Sequence, residues 1–212
     1  MAGILQKFLG PVDEKVEEKL LRAKTRADEG IQMINDVLNV SKLNLYDQFN
    51  EEEIDLEELI CGVIKRRKPF ADSRLVEVKF IDERENKAQI TGDKYLLDIA
   101  ISNLVGNSVK YNIDGGKVEV KLSSKNGSVL IEVSDDGIGI PVKDLTKIFN
   151  DFYRASNAKK TSSEGSGLGL SVVKKIIERH DGSISVNSPS RMAKKDQPGA
   201  SFVIELPLKR KK

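Results

Sequence analysis

Residues 129–140 constrain this chain more than any other stretch. Val129-Leu130-Ile131-Glu132-Val133 alternates as a strand, and it runs into Asp135-Asp136-Gly137-Ile138-Gly139-Ile140. A strand is thus expected to end by delivering a carboxylate, with two glycines close behind. Glycine lacks a Cβ and permits positive φ, so a ligand can lie against the backbone there. An acceptor carboxylate beside bare backbone suits a planar edge that carries N–H donors, such as an adenine amino group. The same residues also read as a hairpin turn, because Asp-Gly is a strong turn signal. The stretch alone does not choose between the two.

Three further stretches carry chemistry. A helix capped by Asp93 is expected to bear Leu96, Leu97, Ile99, Ala100, Leu104 and Val105, with Asn103 and Asn107 spaced i,i+4 on one face. Lys110 and Tyr111 follow one turn later. An amide oxygen is a hard neutral ligand that suits Mg²⁺ already held by phosphates. A lysine supplies a point charge for phosphate, and a tyrosine ring can cover a base or ribose. The alternative is that Asn107 merely ends the helix. Further on, Gly165-Ser166-Gly167-Leu168-Gly169-Leu170 opens a helix through Val172, Val173, Ile176 and Ile177. Its free N–H groups could face an anion. The spacing is neither a Walker A loop nor a dinucleotide-binding fingerprint. Between them, Phe149 and Phe152 suggest a short helix with two core anchors, and Arg154 could reach a phosphate. Residues 155–164 read as a mobile lid, small and polar with few apolar anchors.

The remaining chain sets the frame. Val16, Leu20, Ala23, Ala27, Ile31, Ile34 and Leu38 form one apolar stripe on a long helix from about Val12 to Leu45. A helix of this kind needs a partner helix. Polar residues 46–53 mark a boundary between units 1–46 and 47–212. Ile54-Asp55-Leu56 reads as a short strand, followed by a helix that stops at Pro69. Further strands are expected at 76–80, 88–91, 117–122, 183–187 and 200–208, with a hairpin turn at Asn126-Gly127. Lys+Arg number 35 against Asp+Glu 33, which gives no argument for a nucleic-acid partner. The single cysteine, Cys61, excludes an internal disulfide or a cysteine metal cluster. No apolar run approaches a membrane span, so a cytoplasmic setting is the expectation.

Taken together, these stretches resemble the ATP-binding domain of bacterial sensor histidine kinases, of the Bergerat (GHKL) ATPase superfamily. Asn103 to Tyr111 is similar to the family's N box, Asp135 to Ile140 to its G1 box, Phe149 to Arg154 to its F box and Gly165 to Leu170 to its G2 box. The resemblance covers about residues 50–208, and residues 8–45 are similar to part of the family's dimerisation bundle. It implies an α/β sandwich, a mixed sheet covered on one face by helices and preceded by a long dimerisation helix. By it, Asp135 accepts the adenine amino proton, Asn107 holds Mg²⁺, Lys110 and Arg154 contact phosphates as the catalytic cations, and Tyr111 packs by the nucleotide. Asn103, Gly137, Gly139, Ile140, Gly165, Ser166, Gly167, Leu168, Gly169 and Leu170 complete the implied ATP contacts.

The implied activity is transfer of the γ-phosphate of Mg-ATP to a histidine, for relay to a response regulator receiver domain. Two departures qualify it. The ATP-hydrolysing relatives carry a glutamate where Asn103 stands, which favours a kinase over a self-contained ATPase. The family's acceptor histidine belongs upstream of Gly10-Pro11, and none is there. The chain is therefore expected to be a fragment or a kinase that uses an acceptor on another chain. A non-enzymatic nucleotide-binding dimerisation module is the alternative. His180, the single histidine, is expected at the far end of the helix that the glycine-rich stretch opens, where it suits the C-terminal dipole.

Overall fold

The computed structural model describes residues 49–208 apart from 88 and 162–164, together with Asp13, residues 15–20, and positions 22, 23, 26, 27, 30, 31 and 34. Its centre is the hairpin of β4 (Lys117–Lys125) and β5 (Ser128–Asp135). The turn forms where expected, with Asn126 and Gly127 at φ 50° and 81°. Two successive positive φ angles match the twist of the strands they join. β5 also pairs antiparallel with β7 (Ser201–Pro207), β7 with β6 (Ser183–Asn187), and β4 pairs parallel with β2 (Glu77–Asp82). The result is a mixed five-stranded sheet in the order β2-β4-β5-β7-β6, beside a two-stranded pair of β1 (Glu52–Ile54) and β3 (Ile90–Gly92).

The pleat decides which face is covered. Val118, Val120 and Leu122 on β4 are buried with Val129, Ile131 and Val133 on β5 and Phe202, Ile204 and Leu206 on β7. Their alternate neighbours are polar and at least partly exposed along most of each strand. Three helices cover the apolar face: α1 (Leu56–Ser73), α2 (Lys94–Lys110) and α4 (Gly169–Arg179). α2 packs against both of the others and against β4 and β5. Leu97, Ala100, Ile101, Leu104, Val105, Ser108 and Val109 all turn inward on it, so its remaining face is free to present Asn103 and Asn107.

Four local expectations need correction. Asp55 is not in a strand: it caps α1, its Oδ1 accepting the N–H groups of Glu57 and Glu58 at 2.9 and 3.2 Å. α1 does not stop at Pro69 but continues to Ser73. The carbonyl that Pro69 leaves unpaired belongs to exposed Lys65, where water can satisfy it. Residues 145–152 form turns after a 3-10 segment at Val142–Asp144, and Phe152 is 66% exposed at φ 62° rather than a core anchor. Residues 155–161 are tethered: Ala155 and Ala158 are buried, and α3 (Ala158–Thr161) forms there. Residues 162–164 lie outside the described residues.

Of the amino-terminal stripe, Val16, Leu20, Ile31 and Ile34 are described; they are helical and 42–61% exposed. Ala23 and Ala27 are helical and exposed as well, and Leu38 lies outside the described residues. Asp13 caps this helix through a 2.7 Å bond from the Lys15 N–H.

His180 sits where the sequence puts it, as the C-cap of α4, but it is held by more than a dipole. The ring is 1% exposed. Its Nδ1 donates to the Ile176 carbonyl at 2.7 Å, and its Nε2 accepts the Asp93 N–H at 2.9 Å. That pair of bonds specifies a neutral imidazole protonated on Nδ1. Phe49 meets the ring edge-on at 4.8 Å. Asp93 in turn caps α2 through Leu96 and takes the Asn50 N–H, so one histidine joins the end of α4 to the start of α2. His180→Ala should therefore lower the unfolding free energy by about 2–4 kcal/mol, from a cavity and a stranded buried N–H. Urea unfolding measures this, and a loss below about 1 kcal/mol would show that the ring is not a structural tie.

Candidate nucleotide-binding site

A cleft of about 970 Å³ opens along α2, between it and the segment 138–170. Its wall is built from α1 and α2, the end of β5, residues 138–140, the tethered segment 153–158 and the glycine-rich entry to α4. All of the site residues expected from the sequence line it except Gly137 and Leu168. Gly137 lies behind the wall. A Cβ there would collide with the Tyr111 carbonyl and come within 2.9 Å of Asn112 Cα, so this glycine makes room for the protein's own backbone. Leu168 is 1% exposed and packs inward.

One end of the cleft is acidic. Asp135 is 5% exposed, and its Oδ1 accepts the N–H groups of Gly137 at 3.0 Å and Ala200 at 3.2 Å. Oδ2 has no protein hydrogen-bond donor among the described residues. Burial pushes the carboxyl up to about 6, against the pull of those two amides. Ser108 on α2 also lines this end, and its hydroxyl is buried without a hydrogen-bond partner. It lies near enough to favour the ionised carboxylate without completing a bond to it. An unclaimed carboxylate oxygen and an unpaired hydroxyl together are what a small polar ligand edge would satisfy.

The other end is cationic. Lys110 Nζ, the Tyr111 hydroxyl and Arg154 Nε all surround Gly165, at 3.5, 3.7 and 3.9 Å from the position its Cβ would occupy. Lys110 Nζ also lies 5.6 Å from the Tyr111 ring centre. Gly167 has φ 75°, and the Phe152 carbonyl carbon would be 2.6 Å from a Cβ on it. Only glycine can lay the loop this closely over residues 152–153. α4 then starts with no side chain capping its amides, which leaves its first turn open to an anion. Asn103 donates to the Ile99 carbonyl at 3.0 Å and turns its Oδ1 toward Gly169. Asn107 lies between the two ends, with its amide group engaged by no hydrogen bond among the described residues.

Several supporting residues escaped the sequence reading. Asp136, 1% exposed, accepts the Lys117 N–H and the Lys194 ammonium, both at 2.6 Å, and these bonds hold its carboxyl below the usual range despite burial. Asp144 accepts the Ser156 N–H and O–H at 2.8 Å each and the Tyr153 hydroxyl at 2.7 Å. The Ser156 N–H first, and then the two hydroxyls, stabilise its charged form, so its carboxyl falls to about 2 despite burial. Asn157 donates to the Gly139 carbonyl at 2.8 Å. Ser190 donates to the Asp135 carbonyl at 2.7 Å, and Ser188 accepts the Ile140 N–H at 2.9 Å. Only Asp136, adjacent to Asp135, had a visible signal; Ser188, Ser190 and Lys194 depend on how β6 and β7 are joined, and Asp144, Ser156 and Asn157 on how the segment 138–158 folds back on itself.

With this geometry in place, comparison with known proteins is decisive. Residues 92–210, more than half of the chain, match the family described as histidine kinase-, DNA gyrase B-, and HSP90-like ATPase. The chain belongs to that family. The sensor-like histidine kinase SenX3 of Mycobacterium tuberculosis is 30% identical over 213 residues, which are 98% of this chain and 49% of SenX3. The chain thus spans about half the length of that curated relative. The solved mycobacterial sensor histidine kinase MprB is 29% identical and superposes with a TM-score of 0.66, covering 74% of this chain and 97% of that one. Histidine kinase ThkA, solved in complex with response regulator protein TrrA, shares the fold at 21% identity and a TM-score of 0.71, over 97% of this chain and 56% of that one. The domain is a histidine kinase-type ATP-binding domain with the Bergerat arrangement of sheet and helices.

The raised carboxyl of Asp135 has a consequence for stability. A buried acid with a raised pKa favours the fold while protonated; that contribution is complete below about 4 and is lost as pH rises through about 6. Asp135→Asn keeps an oxygen for the two amides and never ionises. Without nucleotide, the variant should therefore gain stability over the parent between pH 4 and 7, by up to about 3 kcal/mol. Urea unfolding at both pH values tests this. An equal difference at pH 4 and pH 7 would show that the Asp135 charge is not destabilising.

Proposed function

We propose that this chain is the catalytic region of a two-component sensor kinase, which binds Mg-ATP and transfers its γ-phosphate to a histidine outside the described residues. The observation that carries this is the polarity of one cleft: a buried carboxylate with an unclaimed oxygen at one end, and Lys110, Tyr111 and Arg154 gathered round Gly165 at the other. Adenine fits the first end, its amino group donating to Asp135 Oδ2 and its surroundings able to use the Ser108 hydroxyl. A polyphosphate tail fits the second, with Lys110 and Arg154 as the catalytic cations, Tyr111 beside the nucleotide and the amides that open α4 completing the cradle. Gly139, Ile140, Gly165, Ser166, Gly167, Gly169 and Leu170 form the walls.

Asn107 is the protein ligand for Mg²⁺: its amide oxygen is a hard donor, placed between the base and phosphate ends. The ion would neutralise phosphate charge as the tail is positioned. Asn103 is a neutral amide tied back to Ile99, so it cannot take a proton from water, and this supports phosphotransfer over self-contained hydrolysis. His180 is unsuited as the acceptor, because both ring nitrogens are engaged and the ring is buried. The family's kinases, and the ThkA–TrrA complex, support a response regulator as the onward partner. Residues 1–46 act as part of a dimerisation bundle, with residues 47–212 as the ATP-binding unit. The exposed Val16, Leu20, Ile31 and Ile34 supply the apolar face for a homodimer. Among the described residues no helix is long and apolar enough to cross a membrane, and a cytoplasmic placement of this region accords with that.

The test is reconstitution. The chain is mixed with Mg²⁺, γ-labelled ATP and a separate dimerisation bundle that carries the acceptor histidine. Acid-labile label should appear on the bundle and none on this chain; binding without transfer would favour a non-enzymatic module. In calorimetry, Asp135→Asn should weaken ATP about tenfold or more, since a charge-assisted hydrogen bond is lost. Unchanged affinity would remove Asp135 from adenine recognition.

A further inference from the structure

Arg67 lies in the basic cluster Lys65–Lys68, which the sequence suggests only as a helix C-terminus, yet it lines the same cleft from α1. Its Nε donates to the Ser102 hydroxyl at 3.0 Å. Its guanidinium carbon would lie 3.5 Å from a Cβ on Gly106, so the group rests flat across α2 in the groove between Ser102 and Gly106. Those positions neighbour Asn103 and Asn107 on the helix surface. Because position 106 carries no side chain, nothing on α2 stands between the guanidinium and the Asn107 side of the cleft.

The charge is poorly compensated. The nearby carboxylate that could pair with it, Asp98, forms an ion pair with Arg66 instead. The only acceptor given to Arg67 among the described residues is the neutral Ser102 hydroxyl. Burial and then the neighbouring Arg66 push its pKa down, and Asp98 offsets this only in part. A half-buried cation costs free energy unless it meets an anion. A planar guanidinium is, moreover, the side chain best matched to phosphate oxygens. Lys110 and Arg154 already mark the cleft as cationic, so the chemistry that would relieve Arg67 is a phosphate.

We propose that Arg67 is an additional phosphate-binding residue of this cleft, its guanidinium taking a non-bridging oxygen of the nucleotide's polyphosphate tail from the α1 side. This rests on the ATP-binding reading above. Lys110 and Arg154 hold the tail near Gly165, and Arg67 holds it from the opposite wall. Ser102 aims the group, and Gly106 leaves it room.

Calorimetry on the full chain tests this, with Mg-ATP, Mg-ADP and adenosine as ligands for the parent, Arg67→Met, Arg67→Gln and Arg67→Lys. Arg67→Met should weaken Mg-ATP about tenfold or more and leave adenosine unchanged, with Arg67→Lys recovering part of the loss. The parent's advantage over Arg67→Met should shrink as salt is raised. Arg67→Gln keeps a polar stem over Gly106 and should also lose Mg-ATP affinity, which guards against a folding defect in the Met variant. Equal weakening of adenosine and Mg-ATP would make Arg67 a packing residue and overturn the proposal, as would unchanged Mg-ATP affinity. Failure of the parent itself to bind Mg-ATP would instead bring down the functional reading, and this proposal with it.

Discussion

The Asp135 carboxylate is the constraint on which the rest of this domain turns. One of its oxygens closes two backbone bonds, to Gly137 and Ala200, and so joins the end of β5 to the loop entering β7. The other oxygen is left for a ligand. To supply both, the carboxylate must be buried, and burial raises its pKa to about 6. A side chain chosen for the fold alone would be neutral here. A buried acid whose pKa is strongly perturbed, beside a cleft, is what a binding site for a donor-bearing ligand would require.

Holding that carboxylate in place takes a shell of polar ties rather than more apolar packing. Asp136 is locked by Lys117 and Lys194, and Ser190 grips the Asp135 carbonyl. Across the cleft, Asp144 gathers Tyr153 and Ser156, and Asn157 reaches back to Gly139. Behind α2, His180 joins two helix ends through Asp93. The ties of Lys194, Ser190 and His180 join elements far apart in sequence, so that part of the site is held only when the whole sheet is assembled. The Asp144 tie is robust to pH. Its carboxyl, held near 2, keeps its contribution at any pH above about 4 and loses it only as acid carries the pH down through about 2.

The sheet and its helices were legible because their periodicities are strong. Val129–Val133 alternates, Asn126-Gly127 demands a primed turn, and Asp93 opens an unmistakable helix. Both ends of the cleft could be picked out too: Asp135, Asn107, Lys110 and the glycines stand out together, although alone the first stretch also read as a turn and Asn107 as a helix end. What stayed hidden has a common cause. Ala200, Ser188, Ser190 and Lys194 matter through strand register and loop closure, which no local pattern encodes. Gly137 also has a structural role the sequence does not show, because a missing Cβ does not say which atom takes its place; here it is the Tyr111 carbonyl. The loop at 155–161 was misread because its anchors, Ala155 and Ala158, are small. Small apolar residues bury well but give a faint signal in a polar stretch. Pro69 shows the reverse: a strong local stop signal overridden because the carbonyl it strands faces water.

Nucleotide and fold are thus linked by charge. Without a ligand, the cleft keeps a carboxylate that resists ionisation at one end and a cluster of cations at the other, and Arg67 adds a third to Lys110 and Arg154. One Asp135 oxygen has no protein donor among the described residues, and like charges gather at the other end, so both ends sit at a cost to the free domain. A ligand with N–H donors at one end and phosphates at the other relieves both at once. That complementarity is differential between the folded and unfolded chain, so ligand binding must appear as added stability that grows with the logarithm of its concentration over its dissociation constant. On the proposed reading the same polarity sets direction: the base lies toward Asp135 and the terminal phosphate toward Lys110 and Arg154, where an outside histidine would meet it.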